Sequence, residues 1–314
     1  MPSTGAGILC SDSGLPNSSS TAAFISSMTT IVGRTRHRNQ PWYHPGIAEC
    51  HAEVVMPDAA RAGLGEFLRS RRERLSPAAL GLPDRRRRRT PGLRREEVAE
   101  LAGIGVDWYI RLEQGRTVSP SSETVEALAS ALRLDPAERA HLRELALNPA
   151  RTPFTPERVP EATRRLVESL TEPAYITGRR WDLLAWNRAA DDLFGDLAAS
   201  PEADRNILVW LLLGERSRRL FGDGWAAQAR HVVAQFRAAH DLWAGDPAFT
   251  ELAARLQAGC PEFAAWWGRH DVGHSGPGRK TLYRPEPEDF DYATFQAAED
   301  PALRLTIYAP TRGR

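Results

Sequence analysis

LRREEVAELAGIGVDWYIRLEQGR, residues 93–116, is the stretch whose reading decides the fold. Its apolar residues recur at helical spacing in two runs, Val98 and Leu101, then Tyr109 and Leu112. Ala99 stands where the first run would face the second, and only a small side chain lets two helices cross closely. Gly103 comes four residues later and suits the left-handed conformation of a sharp turn. Val98, Leu101, Ile104, Tyr109 and Leu112 can then share one core. The pattern is a helix-turn-helix, with helices over Arg94–Ala102 and Val106–Gln114.

Working outward, residues 64–75, LGEFLRSRRERL, place Leu64, Phe67, Leu68, Arg71 and Leu75 on one helical face. A loop with five consecutive arginines, Arg85–Arg89, follows. Ser122–Leu132 reads as another helix. Asp135 before Pro136 is an N-cap with proline at the first helical position, opening a helix to about Ala146. Residues 63–147 therefore form an all-α five-helix domain.

The second helix of such a motif enters the DNA major groove, N-terminal end first. Here that end carries Gly105, Val106, Asp107, Trp108, Ile110 and Arg111. Arg111 suits a guanine edge, which Arg can bind bidentately. Pairing with Asp107, one turn back, is the alternative. Trp108 either touches a thymine methyl or joins the core. Arg94 and Arg95, at the start of the first motif helix, and Arg116, after the second, are placed for phosphates. Arg86, Arg87 and Arg88 of the loop run can reach phosphates or the minor groove, or are simply solvated. Glu113 is expected in an internal ion pair.

Beyond the helical domain, residues 148–160 hold four prolines and read as a linker. Residues 161–310 mix strand-like text (AYITG, WDLLAW, Thr281–Arg284, Tyr292–Phe295, Leu303–Tyr308) with helical text. The helical stretches are Asn187–Leu197, Arg205–Leu213, Gly224–Trp243, Pro247–Gln257 and Pro261–Arg269. This is an α+β domain, an antiparallel sheet with helices on one side. Residues 1–57 are rich in Ser, Thr, Gly and Pro and read as a disordered leader, with Met56 an alternative start.

Charge balances, with 41 Lys and Arg against 40 Asp and Glu, so net charge identifies no partner. Lys280 is the only lysine. Three scattered cysteines imply no disulfide framework. His44, Cys50 and His51 lack zinc-site spacing. The longest apolar run, Ile207–Leu213, falls far short of the roughly 20 residues that span a membrane. No secretory signal is visible, so a cytoplasmic location is expected. No nucleophile motif, metal set or phosphate loop stands out, which argues against an enzyme and calls for no cofactor.

The quoted helix-turn-helix, with the arginine insert before TPGLRREEVA, resembles that of the MmyB-like regulators. So does PAYITGRRWDLLAWNRAADDLF (173–194), followed by Arg205–Asn206, Pro261–Phe263 and WGRHDV (267–272). The resemblance covers about residues 64–310. It implies a PAS-like sensor domain with a pocket for a fatty acid or similar apolar ligand. Gly105 departs from the Ser of many relatives, which removes a phosphate or cap contact. GRKTLYRPEPEDF (278–290) is more polar than the family pattern. The tryptophans of this domain are either core or pocket wall. For a carboxylate-bearing ligand, Arg205 is the expected charge partner, Asn187, Asn206 and His270 polar orienters, and Trp186 and Trp210 apolar wall. The expected partners are double-stranded DNA, read by a homodimer with half-sites about 34 Å apart, and a small apolar ligand. The rival reading is a protein-interaction module with a PAS-like dimerisation domain.

Overall fold

The computed structural model describes residues 56–81, 92–116, 119–147, 153–195, 197–273, 276–284 and 286–311. The leader 1–55, with His44, Cys50 and His51, lies outside the described residues, as does the run Arg85–Arg89. Met56 and Pro57, expected in the disordered leader, are ordered instead. Met56 is buried in the helical core. The reason is periodicity: Met56, Ala60 and Leu64 are spaced four apart and continue one apolar face upstream.

Helix α1 (Asp58–Arg74) thus starts ahead of Gly63. Asp58 in its first turn and Arg71, Arg72 and Arg74 in its last complement the helix dipole. Its core side, Leu64, Phe67 and Leu68, is at most 1% exposed. Each such side chain contributes about 1.5–3 kcal/mol of burial. A Cβ at Gly65 would lie 2.5 Å from the Glu113 carbonyl oxygen, so only glycine allows this crossing. Helices α2 (Arg95–Ala102) and α3 (Val106–Glu113) form the helix-turn-helix. Gly103 between them has φ +66°, and its N–H donates to the Ala99 and Glu100 carbonyls. Ala99 is fully buried, as close crossing requires. Helix α4 (Ser122–Ala131) is capped by Ser121 Oγ, which accepts from the Thr124 N–H at 3.3 Å. Helix α5 (Pro136–Leu147) opens on reciprocal bonds between Asp135 and Glu138, at 2.8 and 3.1 Å.

The expected linker is described from Pro153 onward and is strapped to the second domain. Phe154 packs edge-on against Phe249 at 5.2 Å, and its N–H donates to Asp246 at 2.8 Å. A lone aromatic among prolines finds its burial there.

The second domain then runs through α6 (Glu161–Ser169), β1 (Ala174–Thr177), β2 (Leu183–Trp186), α7 (Arg188–Phe194) and α8 (Ile207–Leu213). It continues with α9 (Glu215–Phe221), α10 (Trp225–Leu242), α11 (Pro247–Gly259) and α12 (Pro261–Trp267). Strands β3 (Gly278–Tyr283), β4 (Pro287–Gln296) and β5 (Arg304–Pro310) close it. Helices α6 and α9 escape the sequence reading. The strands form one antiparallel sheet in the order β2-β1-β5-β4-β3. Side chains alternate between its two faces. Tyr175, Phe290 and Tyr308 join the cluster that holds the α8, α10 and α11 cores. Ala174, Ile176, Ala185 and Leu303 instead meet Val167 of α6. Helices therefore cover both faces, not one, because the Val167 side of α6 matches the apolar back of β1 and β2.

Helix α10 reaches both domains. Near its C-terminal end, Asp241 accepts from Arg237 Nε at 2.7 Å and meets His141 of α5 at 3.3 Å. Burial opposes the Asp241 charge, but bonds to His141 and His240 and the Arg237 guanidinium hold its carboxyl well below the usual range. Arg237 also pairs with Glu66 of α1 at 3.4 Å. Alongside, Arg71 Nη2 donates to the His270 carbonyl at 2.6 Å, and Arg74 pairs with Asp271 at 3.1 Å.

Candidate functional site

Helix α3 divides sharply into two sides. Tyr109, Leu112 and Glu113 are buried, while Gly105, Val106, Asp107, Arg111 and Arg116 are exposed along one face. Arg111 makes no ion pair among the described residues, so the alternative pairing with Asp107 is not formed. Trp108 is half-buried against the helical core, which leaves only its outer edge for a ligand. Arg94 is half-buried, and its backbone N–H donates to Glu97 at 2.7 Å. Arg95 is half-buried and also engaged within the protein. Its Nε donates to Glu113 Oε1 at 3.0 Å. Glu113 also takes two bonds from Arg72, both at 2.8 Å. Burial pushes the Glu113 carboxyl up, but the bonds from Arg72 and Arg95 outweigh it and hold the pKa below its ordinary value. This buried triad locks the C-terminal end of α3 onto α1. Arg86, Arg87 and Arg88 lie outside the described residues.

The second site is a cavity between the inner face of the sheet and helices α8 and α10. It is narrow inside, with about 60 Å³ open to the centre of a water-sized sphere, and it opens to solvent at its mouth. Leu197, Ile207, Trp210, Leu211 and Val232 form the helical wall. The sheet wall is more polar. Tyr175 and Thr177 of β1, Tyr292 and Thr294 of β4, and Arg304, Thr306 and Tyr308 of β5 all point inward. Their registers explain it: Thr177 pairs with Arg304, Tyr175 and Thr294 with Thr306, and Tyr292 with Tyr308. Residues opposite one another share a face.

Two cations enter this space. Arg304 lies 5.9 Å from the Trp181 ring, and its Nε is buried without a hydrogen-bond partner. Burial, aided by Arg179, lowers its pKa. Lys280 of β3 donates from Nζ to Tyr308 Oη at 2.9 Å and lies 3.9 Å from the Tyr292 ring centroid. Burial alone lowers its pKa to about 7. Neither cation has an ion pair among the described residues. Burial raises the Tyr175, Tyr292 and Tyr308 phenols, so all three stay protonated at neutral pH.

Of the six residues expected to bind ligand, only Trp210 lines this cavity. Arg205 lies elsewhere, donating to the Ser200 and Ala198 carbonyls at 3.1 and 2.9 Å. It staples that loop and lies 5.8 Å from the ring of Trp186, which does not line the cavity either. Asn187 and Asn206 are helix caps. Asn187 Oδ1 accepts from Ala174 and Ala190 N–H, and its Nδ2 donates to the Leu170 and Glu172 carbonyls. Asn206 Oδ1 accepts from Leu208 and Val209, and its Nδ2 donates to Arg180 and Asp182. With both ends occupied, neither amide can orient a ligand. His270 sits in the contact between the domains with φ +52°. Burial and the Arg237 charge lower its pKa. Lys280 and Arg304 line the cavity and were not among those six. Their signals were a sole lysine and the alternation Arg304, Thr306, Tyr308.

Residues 63–142 match the model of a helix-turn-helix domain family, and residues 159–314 match that of the MmyB-like transcription regulator ligand binding domain. No curated protein matches the chain. No helix among the described residues is long and apolar enough to cross a membrane.

Proposed function

We infer that this chain, which belongs with the MmyB-like helix-turn-helix regulators, is a DNA-binding transcription regulator switched by an amphipathic anion. The observation that carries the ligand class is Arg304. A guanidinium whose Nε is buried with no hydrogen-bond partner, and which forms no ion pair among the described residues, is costly, and a carboxylate supplied from outside would complete it. Thr177, Thr294 and Thr306 stand beside it on the sheet face, and Trp210 and Leu211 offer apolar wall for a chain. A fatty acid or a similar acyl acid fits both demands. The sheet order and the helices packed on its inner face support the PAS-like reading.

DNA contact runs through the exposed face of α3, with Arg111 on base edges and Arg94 and Arg116 on phosphates. Gly105, Val106 and Asp107 approach the groove through backbone and small side chains, and Trp108 through its outer edge. One α3 reads one half-site, so the protein acts as a homodimer on a near-palindromic operator. The ligand acts by binding the DNA-competent and incompetent arrangements with different affinity.

Native mass spectrometry of the purified full-length protein, followed by denaturing extraction, tests the ligand reading. An acyl acid should co-purify with the native chain and be lost from Arg304→Met. Retention of the same acid by that variant would overturn the head-group assignment.

A further inference from the structure

Lys280 is unlike every other basic side chain here. It is the only lysine in the chain. A guanidinium at this place would satisfy the same rings without ever losing its charge. The ammonium instead lies among the rings of Tyr292, Tyr308 and Phe221, at 3.9, 5.1 and 6.0 Å from their centroids. It touches the cavity, and no carboxylate pairs with it among the described residues. Arg304 and Tyr308 are four residues apart on β5, about 13 Å along a strand. Lys280 stands at the Tyr308 end, so the two nitrogen groups occupy opposite ends of one space.

We propose that Lys280 captures the carbonyl group of a long-chain aldehyde as a covalent imine inside this cavity. The inference shares the cavity with the regulator reading but does not need its carboxylate. Burial lowers the Lys280 pKa to about 7, so at neutral pH much of the side chain is the free amine, the nucleophilic form. The Nζ lone pair forms a bond to the carbonyl carbon, and the C=O π pair moves to oxygen. Tyr308 Oη, already 2.9 Å from Nζ, hands its proton to that oxygen and takes back one from nitrogen. The carbinolamine then loses its C–O bond as water leaves, and C=N forms with loss of a second nitrogen proton. The aldehyde and the amine are consumed, one water is released, and no oxidant or reductant takes part. The aromatic walls shelter the imine from hydrolysis.

The test uses full-length protein incubated at neutral pH with decanal and sodium cyanoborohydride, then digested for peptide mass mapping. The amine at the N-terminus serves as an internal standard. The expected result is alkylation of Lys280 at least tenfold faster than of the N-terminus. Tyr308→Phe should slow the Lys280 reaction while leaving the N-terminal rate unchanged. Lys280→Arg, checked for native circular dichroism, should leave only the N-terminal adduct. Equal rates at the two amines, or an adduct at the N-terminus alone, would overturn the proposal. The same assay on Arg304→Met separates the two readings, since capture should survive there even when the acyl acid is lost.

Discussion

The helical core around Glu113 and the cavity on the sheet both hold charge away from water, and they do so in opposite ways. In the helical domain Glu113 receives Arg72 and Arg95, and Arg71 faces Glu138 at 3.1 Å. On the sheet Arg304 and Lys280 enter a cavity and form no ion pair among the described residues. A closed triad consumes its own hydrogen-bonding capacity and serves as framework. An open cation keeps that capacity for something that arrives. The distinction sorts structural charge from receptive charge more reliably than the residue type does, as Arg205 illustrates with its loop carbonyls.

The strongest attempt to break this contrast is Glu113→Gln. It leaves two arginines without their shared carboxylate, and unfolding stability should fall by about 3–5 kcal/mol in denaturant titration. Lys280→Met should leave stability unchanged or raise it, because no charged partner is orphaned. A loss in the second variant as large as in the first would erase the contrast. Arg304→Met should weaken decanoic acid binding, read by calorimetry, by roughly 1.5–3 kcal/mol, the worth of a charged hydrogen bond. Arg111→Ala should cost about 1–3 kcal/mol of specific DNA binding and relax base preference at one position. Unchanged preference in a binding-site selection would remove Arg111 from the reading face.

The smallest effect concerns pH. The folded protein holds Lys280 near 7, against 10.5 for an ordinary lysine. Between those values the unfolded chain binds more protons, so ligand-free stability should rise with pH across that window. Below about 7 both states are protonated and this contribution is flat. Lys280→Met should lose the slope, measured by urea unfolding at several pH values. An identical slope in the variant would assign it to another group.

The two domains also differed in how far their text could be read. Ala99, Gly103 and the apolar positions around them lie within one short stretch, and local spacing dictates a helix-turn-helix. The cavity depends on which strands neighbour one another. Lys280, Tyr292 and Tyr308 meet only because β4 lies between β3 and β5, and no local pattern states that order. Helix α6 was missed because EATRRLVES offers only Leu166 and Val167 as large apolar residues. The asparagines misled for a different reason. Asn187 and Asn206 were read as polar orienters of a ligand, although each directly precedes a helix and so had a capping role on offer.

Helix α10 has no proline or glycine along Trp225–Leu242, so nothing in it favours a bend. Gln228, His231, Val232 and Gln235 wall the cavity, while Arg237 and Asp241 grip α1 and α5. From Gln228 to Asp241 is about 20 Å of helix. Such a rod passes a tilt from one end to the other. A tilt of about 3° imposed at one end shifts the other by about 1 Å over that length. An occupant that wedges the cavity wall therefore levers on the seat of α1, and α1 is the helix on which Arg72 and Gly65 seat α3. The same coupling works backwards: operator DNA should change the grip on the ligand by the same factor, and in the same direction, as the ligand changes the grip on DNA.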